Sequence, residues 1–253
     1  MRLAIVGKGA IAGFVTAAVA QRPDLHLVAR VLRQAEGAAV ADVADLPPVD
    51  LLIDCAGHAG LAQHGPAALA LGIDVLTLSL GALADDALRV ELEGAARNGM
   101  AQLHLASGAI GALDALRAGA IGGLRAVTYT GRKPPAGWRG SPAEDRLDLD
   151  RLTTAATHFT GTARAAALAY PKNANVAAAV ALAGAGFDAT QVALIADPDA
   201  PGNVHDIRAE GAFGTLNFSI TGASLPDNPR SSALAAMSAV AALSQAAAPI
   251  RFA

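Results

Sequence analysis

Cysteine is nearly missing from this chain: Cys55 stands alone among 253 residues, which excludes an internal disulfide. The opening residues, MRLAIVG, lack the charged, apolar and small-residue regions of a secretory leader, so a cytoplasmic location is expected. No basic run occurs. With 19 Lys and Arg against 22 Asp and Glu, the net charge is −3, and the positive stripe that would hold nucleic acid is missing. Apolar stretches such as Ala177 to Ala185 fall short of the roughly 20 residues that cross a bilayer, so no membrane segment is expected. His26, His64, His104 and His158 show no spacing of the H-E-x-x-H kind and no cysteine cluster accompanies them, so no metal site is expected. Apolar residues are abundant instead. At 53% they suffice for a substantial core, in one large domain or two small ones, and they exclude disorder.

The pattern along the chain changes after residue 107. Before it, apolar runs at Arg2 to Gly7, Leu25 to Leu32, Leu51 to Cys55, Ile73 to Leu78 and Ala101 to Ala106 alternate with helical stretches at Ala10 to Gln21, Leu61 to Leu71 and Asp85 to Asn98. Strands alternating with helices imply an α/β domain with a parallel sheet, whose strands read as unbroken apolar runs because both faces are covered. From 108 to 230 the expected order is a helix at Ile110 to Ala118, a strand at Leu124 to Thr130 and a loop from Gly131 to Asp145 dense in Pro, Gly and charge. Helices near Thr162 to Ala169 and Asn175 to Ala183 follow, then strands at Gln191 to Ala196, Val204 to Glu210 and Gly214 to Thr221, the last two joined by a hairpin turn at Gly211-Ala212-Phe213. This is an α+β unit. Pro226 to Pro229 break the chain, and Ser231-Ser232 cap a final helix, Ala233 to Ala247. Its apolar stripe needs a surface, so the segment 231–253 is expected to pack back on the first domain.

Gly7-Lys8-Gly9-Ala10-Ile11-Ala12 matches G-x-G-x-x-G/A where the first strand hands over to the first helix. Gly7 permits the tight turn, Gly9 removes the side chain that would block a pyrophosphate, and Ala12 allows close packing of helix on strand. The helix start at Ala10 and Ile11 supplies free N–H groups to the phosphates. A generic strand-to-helix turn is the plainer alternative; the strand before, the helix after and the further strands behind it favour a dinucleotide. In a site that prefers NAD, an acidic residue ends the second strand. Here the run from His26 ends in Leu32 and Arg33, and Glu36 comes several positions late. Arg33, with Arg30 as the weaker alternative, is either a partner for a 2′-phosphate or a solvated loop arginine. The expected cofactor is NADP or NAD, with NADP favoured.

Several further segments occur in a telling order: Ser79-Leu80-Gly81-Ala82-Leu83-Ala84-Asp85, Ala106-Ser107-Gly108-Ala109-Ile110-Gly111, Arg132-Lys133-Pro134-Pro135, Pro171-Lys172-Asn173-Ala174-Asn175-Val176, Asn203-Val204-His205-Asp206-Ile207 and Asp227-Asn228-Pro229-Arg230-Ser231-Ser232. With the amino-terminal glycine turn they cover nearly the whole chain, and together they resemble the L-aspartate dehydrogenase family. The resemblance implies a doubly wound Rossmann domain joined to a substrate-binding and dimerisation domain. It implies oxidation of L-aspartate with NAD or NADP to iminosuccinate, which hydrolyses to oxaloacetate and ammonia, a reaction that can feed NAD biosynthesis. It also implies a homodimer. By the same resemblance His205 matches the catalytic histidine, and Ala109 and Asn175 match cofactor contacts near the nicotinamide. The replacement of an acidic ribose-binding position by Leu32 and Arg33 departs from some relatives and counts against exclusive use of NAD.

Read as residues, the same positions keep plainer alternatives open. An imidazole titrates near pH 6.5 and suits proton transfer, but a histidine at a strand edge is as readily a packing residue. Cys55, at the carboxyl edge of the third strand, reads first as a small buried apolar side chain. Ala56 and His58 are expected to line the cofactor cleft with Ser79 and Leu80. Two substrate carboxylates call for cations or several donors. Lys172 is the leading candidate, and Thr162 either binds a carboxylate or caps a helix. Arg132, Lys133 and Arg139 are expected in the Pro-rich loop, closing over substrate or solvated. The alternatives to aspartate oxidation are a related dehydrogenase or reductase of another small carboxylate, or a non-catalytic NADP-sensing module.

Overall fold

A computed structural model describes residues 1–35, 37, 39–171, 173–226 and 228–251, with 229 and 230 described by backbone alone. The chain forms two compact units: Met1–Gly108 with Ala235–Ala253, and Ala109–Leu234. No helix among the described residues is long and apolar enough to cross a membrane.

In the first unit β1 (Arg2–Val6), α1 (Ala10–Val19), β2 (His26–Val31), β3 (Ala39–Val40), β4 (Leu51–Asp54), α2 (His58–Ala70), β5 (Asp74–Thr77), α3 (Asp86–Gly99) and β6 (Leu103–Leu105) follow in chain order. The six strands are parallel in the order β3-β2-β1-β4-β5-β6. This is a doubly wound sheet, and the order in which successive strands are added reverses between β1 and β4, where ligands of such sheets bind. Leu3 to Val6 and Leu51 to Asp54 are buried throughout, which is why these strands carry no polar alternation.

The second unit contains α4 (Leu113–Ile121), β7 (Leu124–Lys133), β8 (Ala156–Thr162), α5 (Ala163–Ala169), α6 (Asn175–Ala183), β9 (Gln191–Ala196), β10 (Asn203–Gly211) and β11 (Gly214–Gly222), then a short hairpin of β12 (Ser224–Leu225) and β13 (Asn228–Ser232). The final helix, α7 (Ala233–Ala247), lies mostly in the first unit, where Ala239 and Leu243 join Leu3, Ile5, Ala12 and Val15 in one apolar cluster. Its Ser238 and Ser244 hydroxyls bond to Gly108 N and Arg22 Nη1 at 3.0 and 2.8 Å.

The main sheet of the second unit has the order β11-β10-β7-β9-β8 and is antiparallel except between β7 and β9. It differs from the sequence expectation in three places. β8 falls in a stretch with no expected element; a register shift between Thr157 and Phe159 leaves His158 and Phe159 both buried and erases the alternation that marks a strand. β7 runs three residues past Thr130, so Arg132 and Lys133 are strand residues and not loop residues. The chain expected to break at Pro226 to Pro229 takes in the second strand of the β12–β13 hairpin, and Ser231 and Ser232 end that strand directly before α7.

Candidate active site

At the carboxyl ends of β1 and β4 a cavity of about 580 Å³ is lined by Gly7, Lys8, Gly9 and Cys55 together with Arg33, Gln34 and one side of α2. Gly7 adopts φ +99°, and a Cβ there would lie 3.2 Å from the Cys55 carbonyl oxygen, so the turn itself requires glycine. Gly9 is different. Its backbone (φ −76°, ψ −178°) suits any residue and an added Cβ would meet nothing within 4 Å. No protein atom explains the missing side chain, whereas a pyrophosphate crossing the turn does. Gly9 caps α1 without a side-chain bond and the first turn of α1 has no acidic residue, so the N–H groups of Ala10 and Ile11 are left for an anion. Ala12 is fully buried against β1, as close packing requires. These residues fit a dinucleotide.

Arg33 and Gln34 are exposed at the far rim of the cavity. Arg30 is not available there: its guanidinium bonds to the Gly7 carbonyl at 3.3 Å and to Thr16 Oγ1 at 2.6 Å, bracing the turn from behind. Glu36 lies outside the described residues.

Behind the cavity sits a carboxylate that sequence reasoning missed. Asp54 is buried and accepts bonds from Ser79 Oγ (2.6 Å), Thr77 Oγ1 (2.8 Å) and Ala56 N (3.0 Å). Burial pushes its pKa up while the three donors pull the other way. The Ser79 hydroxyl expected to reach the cofactor is therefore committed to Asp54, and the Leu80 side chain is buried. Ala56 does line the cavity; from α2 the lining residues are Ala59, Gly60, Gln63 and His64, beginning one residue beyond the expected His58. The Cys55 thiol is pushed up to about 12 by burial and by Asp54, which fits packing and not nucleophilic chemistry.

The second unit builds a separate cluster. Tyr129, Gly131 and Lys133 alternate on one face of β7, and His205 on β10 stands opposite Gly131. Because Gly131 has no side chain, the Tyr129 ring crosses over it; a Cβ there would lie 2.7 Å from the Tyr129 hydroxyl. The hydroxyl thereby reaches His205 Nδ1 at 2.8 Å. Burial raises the Tyr129 pKa, so the phenol keeps its proton and either donates it to Nδ1 or accepts Nδ1–H, according to the His205 tautomer. His205 is 4% exposed and its pKa is pulled to about 4 by burial and by the charge of Lys133, with Asp206 opposing. His158 is also buried and lowered to about 4, by burial and then by Arg146 and Lys133.

These shifts carry a stability consequence. Both histidines have folded pKa values below the ordinary 6.5, so the unfolded chain takes up protons first as pH falls. Stability is then fully present above pH 6.5 and drains away between 6.5 and 4, by about 3 kcal/mol per histidine at the limit. Urea midpoints measured from pH 7.5 to 4.5 should fall on the acid side; a flat profile would contradict the buried neutral state.

Of the three basic residues expected over the substrate, Arg132 pairs with Asp197 at 2.9 Å and Arg139 pairs with Asp150 in solvent. Lys133 is half-buried and bonds to Asn173 Oδ1 at 2.9 Å. Thr162 caps α5 through Ala165 N, and it pairs with Gln191 at the start of β9 whereas Lys133 pairs with Ala196 at the end. Five rungs, roughly 16 Å, separate those ends. Lys172 lies outside the described residues. Ala109 is the first residue of the second unit and Asn175 the first of α6. Among the described residues no group of His, Cys, Asp and Glu could hold a metal ion.

A doubly wound parallel sheet with a glycine turn at its switch point, joined to a mixed-sheet unit with a buried His–Tyr pair, defines the class of pyridine-nucleotide-dependent dehydrogenases. Residues 7–106 match the model for the NAD binding domain of homoserine dehydrogenase, and residues 114–246 match that for the aspartate dehydrogenase C-terminal domain. L-aspartate dehydrogenase of Ruegeria pomeroyi is 58% identical over 99% of this chain and 94% of its own, and that of Pseudomonas aeruginosa is 45% identical over 96% of each. Among solved structures, aspartate dehydrogenase of Thermotoga maritima shares the fold with a TM-score of 0.77 at 24% identity, covering 100% of this chain and 99% of that one. The chain belongs to the L-aspartate dehydrogenase family.

Proposed function

We propose that this protein is a cytoplasmic, NAD(P)-dependent L-aspartate dehydrogenase that oxidises the Cα–N bond of L-aspartate to iminosuccinate, which water hydrolyses to oxaloacetate and ammonia. The observation that carries the reading is the 58% identity over 99% of the chain to a protein of that activity. The first unit holds the dinucleotide: Gly7 and Gly9 open the turn, and the α1 amino terminus receives the pyrophosphate. When bound, the nicotinamide takes up the hydride lost from the substrate Cα. Everything else falls to side chains of the protein. Resting His205 is neutral and, in the tautomer to which Tyr129 donates, offers Nε2–H as a donor to a substrate heteroatom. For His205 to accept a proton at Nε2 instead, the Tyr129 hydroxyl must turn and accept from Nδ1–H, which a phenol can do because it both donates and accepts.

Arg33 and Gln34, with no carboxylate beside them at the described positions, favour NADP. The reading includes a homodimer. The rung Asn217, Arg208, Thr128 and Gln191 is exposed across four strands on one face of the second sheet, while α4, α5 and α6 pack on the other. The test is nicotinamide reduction at 340 nm with L-aspartate and other amino acids, using NADP and NAD in parallel on protein whose mass in solution is read by light scattering. Reduction confined to L-aspartate is expected, and Arg33→Ala should raise the KM for NADP about tenfold while leaving that for NAD unchanged. Dinucleotide binding without turnover on any substrate would turn the weight to a sensing module.

A further inference from the structure

Lys133 is held in place from three sides and has no counter-ion among the described residues. Its stem packs on Gly137, where a Cβ would come within 3.3 Å of Lys133 Cβ. Its ammonium lies 4.8 Å from the centre of the Trp138 ring and gives one hydrogen bond to Asn173. Trp138 is itself fixed, fully buried with Nε1 bonded to the Ile195 carbonyl at 3.0 Å. A lysine kept only for its apolar stem would extend its charge into water. Here the charge is folded back over an aromatic face, and among the described residues no carboxylate lies within ion-pair distance of it. The neighbours record the imbalance: burial draws the Lys133 pKa down to about 8, and its charge depresses both His205 and His158. A second, independent sign is His158 Nε2, which is buried with no hydrogen-bond partner among the described residues. A half-buried cation and an unpaired imidazole nitrogen around one tryptophan call for an anion.

We propose that Lys133 receives a carboxylate of the substrate, its ammonium making the charge-assisted hydrogen bond for which Asn173 and Trp138 hold it ready. This rests on the reading of L-aspartate, a dicarboxylate, as substrate. A carboxylate at Lys133 neutralises the charge that His205 otherwise feels, so substrate binding itself prepares the imidazole.

The test uses Lys133→Met, which keeps the length of the stem, and Lys133→Arg, which keeps the charge. Succinate serves as a non-reacting dicarboxylate, titrated calorimetrically into the protein saturated with NADP, and NADPH affinity is the control for folding. Lys133→Met should weaken succinate binding and raise the KM for L-aspartate by roughly 10²-fold, with NADPH affinity within about twofold of the parent. Lys133→Arg should recover most of the loss. Succinate bound by Lys133→Met as tightly as by the parent, with L-aspartate turnover intact, overturns the proposal and leaves the dehydrogenase reading standing. Lys133-dependent succinate binding by a parent protein that fails to oxidise L-aspartate overturns the dehydrogenase reading alone.

Discussion

Replacing His205 by alanine should lower turnover with L-aspartate about 10³-fold while NADPH affinity stays within about twofold. The magnitude is that of a lost general acid or base, and the separation follows from the fold. His205 lies on β10 in the second unit, whereas the glycine turn and its cavity belong to the first. The substitution also strands a buried hydroxyl, because Tyr129 shares a hydrogen bond with His205 Nδ1 at 2.8 Å. That alone costs about 1 to 3 kcal/mol of stability and would slow the enzyme by a route that has nothing to do with proton transfer. The double variant His205→Ala/Tyr129→Phe separates the two. With both polar partners gone, stability measured by urea unfolding should recover towards the parent, while turnover stays at the level of His205→Ala. Recovery of turnover in the double variant would mean that His205 serves only to satisfy Tyr129.

Tyr129→Phe alone defines the role of the phenol. Tyr129 acts through His205, so it is a positioning residue, and its loss should shift the pH profile of kcat/KM more than it changes the KM for L-aspartate. The hydroxyl bonds the Nδ1 side of the ring in either tautomer; without it Nδ1 loses its partner and the balance between protonation states of His205 shifts.

Some of this was legible in the sequence and some could not be. The first unit was, because a parallel sheet covered on both faces prints its strands as apolar runs such as Leu3 to Val6 and Leu51 to Ile53, and because the glycine turn sits in contiguous residues. Strand β3 is two residues long and carries no period at all. In the second unit β8 escaped notice because its bulge buries His158 and Phe159 in succession. The Tyr129, Gly131, Lys133 and His205 cluster has no local signature either. It exists through the register of β7 with β10, some seventy residues apart in the chain, and through one glycine that lets a ring pass. The signal that could have found it was the alternation of Tyr129, Gly131 and Lys133 itself, which continues the strand through residues whose charge and glycine read as loop. Arg30 shows the converse. Its position at the strand end suggested a phosphate partner, but only the folded chain reveals that Gly7 and Thr16 already hold it.

Gly9→Val should abolish dinucleotide binding and leave the protein folded. The backbone at Gly9 is extended, with φ −76° and ψ −178°, and a Cβ placed there touches nothing within 4 Å, so the free protein accepts a side chain. The change at the helix cap costs at most about 1 kcal/mol. A valine at that point occupies the space over which the pyrophosphate must approach the N–H groups at the start of α1, and losing two charge-assisted bonds of about 2 kcal/mol each weakens binding by roughly 10³-fold. Gly7→Val makes the contrast. There φ is +99° and the added Cβ meets the Cys55 carbonyl at 3.2 Å, so strain enters the fold itself and the melting temperature should drop. Titration with NADPH, followed by its fluorescence and paired with thermal melts of both variants, reads the two effects separately. A Gly9→Val protein that binds NADPH like the parent would show that the dinucleotide does not cross this turn, and the cavity at the ends of β1 and β4 would lose its assignment; a Gly7→Val protein as stable as the parent would show that the turn can relax around a side chain.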